Sequence, residues 1–340
     1  MGQPRTAVVT GASAGVGRAT AIALAERGFD VALLARGRQG LDAAARDVEQ
    51  RGRRALPIEV DVADARAVDA AATQIEDELG PIDVWVNDAM TTVFAWSWDV
   101  HPDEWKRATE VTYLGQVHGT LAALARMRPR DRGRIVNVGS ALSYVGIPLQ
   151  GPYCAAKFAC RGFFESVRSE LLHTKSNVTI SMVHLPAVDT PQFDWCEDRL
   201  PNRPQPVAPI YEPDVAARAI VAAALDGRRS SVLGSWNRLV VAATKVAPGV
   251  LSHFVARTSV DGQQTDEPRH ADRPANLWKP VDDDCDAGAR GRFGDDAHGF
   301  LTPSFLRMLP STATQLARAA GDTAREKFDV VVRRTTTGSG

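Results

Sequence analysis

The sequence predicts an α/β fold built on a doubly wound parallel sheet of about seven strands, with a C-terminal helical and disordered extension. Three observations predict it. Short apolar runs alternate with longer helical stretches from Arg5 to about Val232, a glycine-rich turn joins the first strand to the first helix, and the alternation stops after Gly234. Strands that alternate with helices form βαβ units, and right-handed crossovers place the helices on both faces of the sheet.

The strand-like runs are Thr6–Thr10, Asp30–Ala35, Ala55–Val60, Asp83–Asn87, Gly133–Gly139, Val178–Leu185 and Ser231–Gly234. Between them, stretches such as Gly17–Arg27 and Leu41–Arg51 carry apolar residues at helical spacing. Four segments follow from this rhythm. Residues 1–235 form the sheet domain, and 236–260 an apolar helix that Pro248 could break. Residues 261–299 are rich in Asp, Arg, Pro and Gly, a composition that suits a disordered linker. Residues 300–340 regain apolar side chains and suit one or two short helices.

Bulk properties narrow the partners. A formal net charge of −1 over 340 residues gives no reason to expect a nucleic acid. Four cysteines with no CxxC pair suit reduced thiols in the cytoplasm and no metal centre. The short apolar stretch Ala7–Val9 does not read as a signal peptide, and no run is long enough for a transmembrane span.

The turn Thr10-Gly11-Ala12-Ser13-Ala14-Gly15-Val16-Gly17 fits a Rossmann-type phosphate loop. Its glycines allow a tight turn and a close approach to a pyrophosphate, which the following helix N-terminus favours. On this reading Gly11, Ser13, Ala14, Gly15, Val16 and Gly17 bind a dinucleotide. An NAD-specific site carries an acid at the end of its second strand, bonded to the adenine ribose. Here that neighbourhood is Leu34-Ala35-Arg36-Gly37-Arg38, with no carboxylate. Arg36, with Arg38 as a second candidate, suits the 2′-phosphate of NADP(H), so NADP(H) is preferred and NAD(H) stays possible. Asp61 and Val62, after the third strand, can meet the adenine, although Asp61 serves equally well as a helix cap.

Tyr153 and Lys157 stand four residues apart, on one face of a helix. An ammonium ~5 Å from a phenol, at an effective dielectric of ~20, favours phenolate by roughly 3 kcal/mol, or about two pKa units. Tyr153 can then act as general acid in ketone reduction and as general base in the reverse direction. Ser140 closes a strand thirteen residues earlier, at the sheet end where open α/β folds bind ligands, and can bond the same substrate oxygen.

In this order and spacing, the glycine turn, Asn87-Asp88-Ala89-Met90, Ser140, Tyr153, Lys157 and Pro186-Ala187-Val188-Asp189-Thr190 make residues 5 to 235 resemble the short-chain dehydrogenase/reductase family. The resemblance implies that Ser140, Tyr153 and Lys157 are the catalytic triad, with Lys157 also on the nicotinamide ribose. It implies that Val188 and Thr190 anchor the carboxamide, that Asn87 and Ala89 line the adenosine side, and that the protein is a homodimer or homotetramer. Three departures stand out. Asp88 and Met90 replace the second asparagine and the glycine of Asn-Asn-Ala-Gly, Ala187 replaces the glycine after Pro186, and Thr112 replaces the asparagine of the family's proton relay. In the family that asparagine kinks its helix and holds a water through its main-chain carbonyl, a contact Thr112 can preserve if the kink survives.

Three segments flank the expected cleft: Thr91–Trp98, Ala141–Gln150 and Gln192–Glu212. Their aromatic and aliphatic side chains suit a bulky apolar carbonyl or alcohol, or simply pack the loops onto the core. Two other readings keep the same scaffold. One is an epimerase or dehydratase. The other is a non-catalytic cofactor-binding regulatory or scaffold protein, for which Thr112 is the only positive sign.

Overall fold

The computed structural model describes residues 5–227, 229–270 and 272–299. The short helices expected over 300–340 fall outside them. The central sheet has seven strands: β1 (Arg5–Thr10), β2 (Phe29–Ala35), β3 (Ala55–Glu59), β4 (Ile82–Asn87), β5 (Arg134–Ser140), β6 (Thr179–Leu185) and β7 (Ser230–Val232). They run parallel in the order β7-β6-β5-β4-β1-β2-β3. The order reverses between β1 and β4, so a crevice opens at the carboxyl ends of those strands.

Successive strand side chains point to opposite faces, and each face carries its own layer of helices. Val9, Leu33, Val86 and Val138 pack beneath α1 (Gly15–Glu26), α2 (Arg38–Glu49) and α7 (Pro213–Asp226). Val8, Leu34, Trp85 and Ile135 pack against α3 (Ala65–Leu79), α5 (Gly115–Met127) and α6 (Gly151–His173). The adjacent pairs Val8/Val9 and Leu33/Leu34 therefore serve different cores. A strand buried on both faces reads as a continuous apolar run, and β2 is buried at every position.

Between α4 (Pro102–Thr109) and α5 the chain makes a π-helical turn, Glu110–Leu114. After β7 the expected apolar helix is two: α8 (Ser235–Val246) and α9 (Pro248–Gly262), parted at Ala247 just before Pro248. Proline lacks the N–H that a helix interior needs, but it fits the first turn of the next helix. Among the described residues no helix is long and apolar enough to cross a membrane.

The segment after α9 departs from the expected disordered linker. It pairs Gln264–Pro268 with Asn202–Pro204, then returns across the carboxyl ends of the sheet as a strap over 272–299. Leu277 and Phe293 anchor it in two small apolar clusters. Two of its acids find fixed donors: Asp286 pairs with Arg18, and Asp283 accepts from the Arg38 amide at 3.1 Å. Composition registers how polar such a segment is, but it is blind to two well-placed anchors and to donors waiting elsewhere in the chain.

Candidate active site

The cleft at the strand ends has a volume of about 560 Å³ and runs from the glycine turn to Tyr153. At one end Gly11 and Gly15 adopt φ of +71° and +58°, a region that side chains resist. A Cβ on Gly11 would press on the Ala89 backbone at 2.9 Å, so the turn and the end of β4 close-pack only as glycine. Gly17 does not line the cleft. A Cβ there would collide with the Gly11 carbonyl, so Gly17 lets α1 approach the turn. Ser13, Ala14, Gly15, Val16, Val62, Val188 and Thr190 all border the cleft where the sequence expected them. The groups present fit a dinucleotide: a glycine cradle, a long groove and a polar far end.

Other expected contacts are already engaged within the chain. Arg36 lines the cleft, but its guanidinium donates to the carbonyls of Asn276 (2.5 Å) and Trp278 (3.3 Å). Arg38 turns away to Asp42 and Glu59. Asp61 also lines the cleft, held by Arg107 at 2.5 Å and by the Ala63 amide at 3.0 Å. Asn87 does not reach the cleft. It is buried behind it, accepting from Trp85 Nε1 at 2.8 Å and donating to Asn137 at 2.9 Å and Thr120 at 3.1 Å.

At the far end α6 brings Tyr153 and Lys157 beneath the Ser140 that closes β5. The Ser140 hydroxyl lies near enough to the Tyr153 side chain to favour its charged form. Lys157 is buried, with Nζ donating to the Val138 carbonyl at 2.8 Å and standing 5.5 Å from the Tyr153 ring centre. The phenolate preference expected from the ammonium does not appear. Burial raises the Tyr153 pKa above the ordinary phenol value, with the Ser140 hydroxyl opposing, and burial lowers that of Lys157. Desolvation penalises each charged form more than these neighbours repay. Tyr153 is thus a neutral phenol, the protonation state a proton donor requires.

His184 positions Ser140 from behind. Its Nδ1 lies 3.1 Å from the Ser140 carbonyl and its Nε2 3.2 Å from the Tyr144 hydroxyl. Burial pushes its pKa down to about 4, so the ring is neutral near pH 7.

Thr112 is not brought to this group. Its hydroxyl donates to the Thr91 carbonyl at 2.8 Å and accepts from the Thr91 amide at 3.0 Å. Its own carbonyl accepts the Cys160 thiol at 3.3 Å. The kinked turn survives at Glu110–Leu114, but the threonine works as a clamp on the chain after β4.

Asp88 stands where the family places asparagine. Burial raises its pKa to about 7, opposed by the Lys157 charge and the Gly17 amide. A carboxyl raised in the folded state stabilises the fold fully below its ordinary value near ~4, and that contribution fades as pH rises through about 7. Asp88→Asn should therefore melt close to the natural protein at pH 4.5 and be more stable at pH 8, by roughly 3–4 kcal/mol. Thermal melts without cofactor at both pH values check this. An equal difference at the two values would show that Asp88 is not the titrating group.

Several cleft residues lie outside the motifs that the sequence displays. Trp236, Val240, Leu251, Phe254 and Val255, from α8 and α9, wall the Tyr153 end together with Leu142, Ile147, Phe193 and Trp195. Gln263 ties α9 in place, donating to the Pro148 carbonyl at 3.0 Å and accepting from Gln150 at 2.6 Å. The apolar spacing of α8 and α9 is a visible signal, but not what it packs against. Asn276, Pro280, Val281 and Asp282 of the strap border the opposite end. Of the expected aromatics, Phe94 and Tyr211 are core residues, while Trp96 and Trp98 stack on each other, largely in solvent.

Comparison with known proteins agrees with this geometry. The family model described as short chain dehydrogenase matches residues 5–198. The uncharacterized oxidoreductase YxnA of Bacillus subtilis is 31% identical over 79% of this chain and 74% of its own length. The 3-dehydrosphinganine reductase of Danio rerio is 31% identical over 70% of this chain and 73% of its own. An alcohol dehydrogenase from the archaeon Thermococcus sibiricus, solved with 5-hydroxy-NADP, superposes with a TM-score of 0.59 at 26% identity, covering 67% of this chain and 95% of that one. The chain belongs to the short-chain dehydrogenase/reductase family and is an oxidoreductase acting on CH–OH or C=O groups with a nicotinamide cofactor.

Proposed function

We propose that the protein interconverts a ketone and a secondary alcohol on a bulky apolar substrate, preferring NADP(H) to NAD(H). One observation carries the reading: Ser140, Tyr153 and Lys157 converge under an apolar wall formed by α8 and α9. The bound nicotinamide supplies or accepts the hydride. Tyr153 gives its phenolic proton to the carbonyl oxygen and takes it back in the reverse reaction, while Ser140 holds that oxygen. Lys157 would bond the nicotinamide ribose, and Val188 and Thr190, which border the cleft, would hold the carboxamide. The similarity to a 3-dehydrosphinganine reductase supports a long aliphatic chain beside the carbonyl. Arg36, with no acid at the end of β2, supports the NADP(H) preference.

Leu121 on α5 and Phe158 and Leu172 on α6 are exposed apolar side chains, and helix faces of this kind suit a homodimer or homotetramer. Unpaired cysteines suit a cytoplasmic enzyme.

A ketone panel of increasing chain length, followed by NADPH absorbance, tests the reading. Each further buried methylene is worth ~0.8 kcal/mol, so kcat/KM should climb about fourfold per carbon until the pocket is full. NADPH should bind ten- to a hundredfold tighter than NADH, a margin of ~1.5–3 kcal/mol, and Arg36→Ala should erase it. Cofactor binding with no turnover on any ketone or alcohol would favour a non-catalytic role. NADH binding as tight as NADPH would remove the preference.

A further inference from the structure

We infer that Asp282, delivered by the C-terminal strap, is a specificity-determining residue that favours a free adenine-side ribose over a 2′-phosphorylated one and so opposes Arg36. The inference rests on the reading of the cleft as a dinucleotide site and adds a discriminating group to it.

The end of β2 carries no carboxylate of its own, yet a carboxylate is there. The loop joining β2 to α2 has glycine at 37 and 40, and a Cβ at either position would run into the Asp282 carboxylate. The strap is fixed against that loop by its backbone. The Gly40 amide donates to the Asp282 carbonyl at 2.9 Å, and the Arg38 amide donates to the neighbouring Asp283 side chain at 3.1 Å. The side chain is therefore placed rather than free. Asp282 is only 7% exposed and borders the cleft beside Ser13 and Arg36, and its charge is felt at Arg36.

What marks it out is the missing partner. Asp283 accepts from the Arg38 amide and Asp286 pairs with Arg18, but among the described residues no donor reaches the Asp282 carboxylate. A carboxylate on the cleft wall that no donor within the chain occupies can accept from a bound group. A ribose diol offers two O–H donors of the kind a carboxylate takes, whereas a 2′-phosphate brings like charge into a poorly screened site. Arg36 and Asp282 thus pull in opposite directions at one end of the cleft, and the cofactor preference is their balance.

The test is binding, not turnover. NADH and NADPH are titrated by fluorescence into full-length natural protein, Asp282→Asn, Asp282→Ala and Arg36→Ala. Asp282→Asn keeps the shape and removes the charge, so the ratio of NADH to NADPH dissociation constants should move at least tenfold toward NADPH. Asp282→Ala should move it the same way, and Arg36→Ala the opposite way. A merely structural role would weaken both cofactors alike and leave the ratio still. A ratio unchanged within twofold in both Asp282 variants overturns the inference while leaving the dinucleotide site intact. If the natural protein binds neither cofactor, the reading of the cleft falls, and the inference with it.

Discussion

Tyr153→Phe is expected to lower kcat at least a thousandfold while changing the dissociation constant for NADPH less than about threefold. General acid–base catalysis by a positioned group contributes about 10²–10⁴-fold, and here one hydroxyl is the proton donor. The ring remains, so the packing of α6 against its neighbours is kept. The Ser140 hydroxyl still accepts from the Leu142 amide at 3.1 Å. Burial that raises the Tyr153 pKa favours the neutral phenol, which suits carbonyl reduction more than alcohol oxidation. The oxidative direction should therefore gain more from rising pH than the reductive one. Single-turnover NADPH oxidation and a fluorescence titration of the same preparation separate chemistry from binding. Activity within tenfold of the natural protein would mean that another group moves the proton.

The sheet was legible because its strands are buried on both faces and so spell continuous apolar runs, as at Phe29–Ala35. The glycine turn was legible because steric demand at Gly11 and Gly15 admits almost no other residue. Ser140, Tyr153 and Lys157 followed from their spacing and from a strand end that faces the crevice. What the sequence hid was contact over long separations. That Arg36 meets carbonyls some 240 positions away, or that Asp61 meets Arg107, leaves no local trace. Asn87 and Thr112 looked like site residues because they lie in motifs, yet each side chain is satisfied internally, beside the cleft rather than in it. The acidic run Asp282-Asp283-Asp284 fell within the segment whose composition suits a disordered linker, and only the fold shows that it lies over a backbone loop.

Leu277→Ala tests whether the strap belongs to the folded unit. Leu277 has no exposed surface and packs with Val93, Ala95, Val100 and Trp105. Its carbonyl accepts from Arg107 at 3.0 Å, and Arg107 in turn holds Asp61. Removing a buried leucine side chain to alanine costs about 2–5 kcal/mol, depending on how far the site collapses. In a domain of this size that corresponds to a fall in Tm of roughly 5–10 °C. Trp278→Ala is the control, because the neighbouring tryptophan is 54% exposed and should shift Tm little. Loosening Leu277 should also weaken cofactor binding, since the Arg36 and Arg107 side chains both lean on this stretch of backbone. An unchanged Tm and an unchanged NADPH dissociation constant would mean that the strap is a solvated linker after all. In that case removing everything beyond Asp261 should leave a cofactor-binding core of full stability. If the strap is packed as described, the same truncation exposes the Leu277 and Phe293 clusters and the protein melts well below its natural temperature.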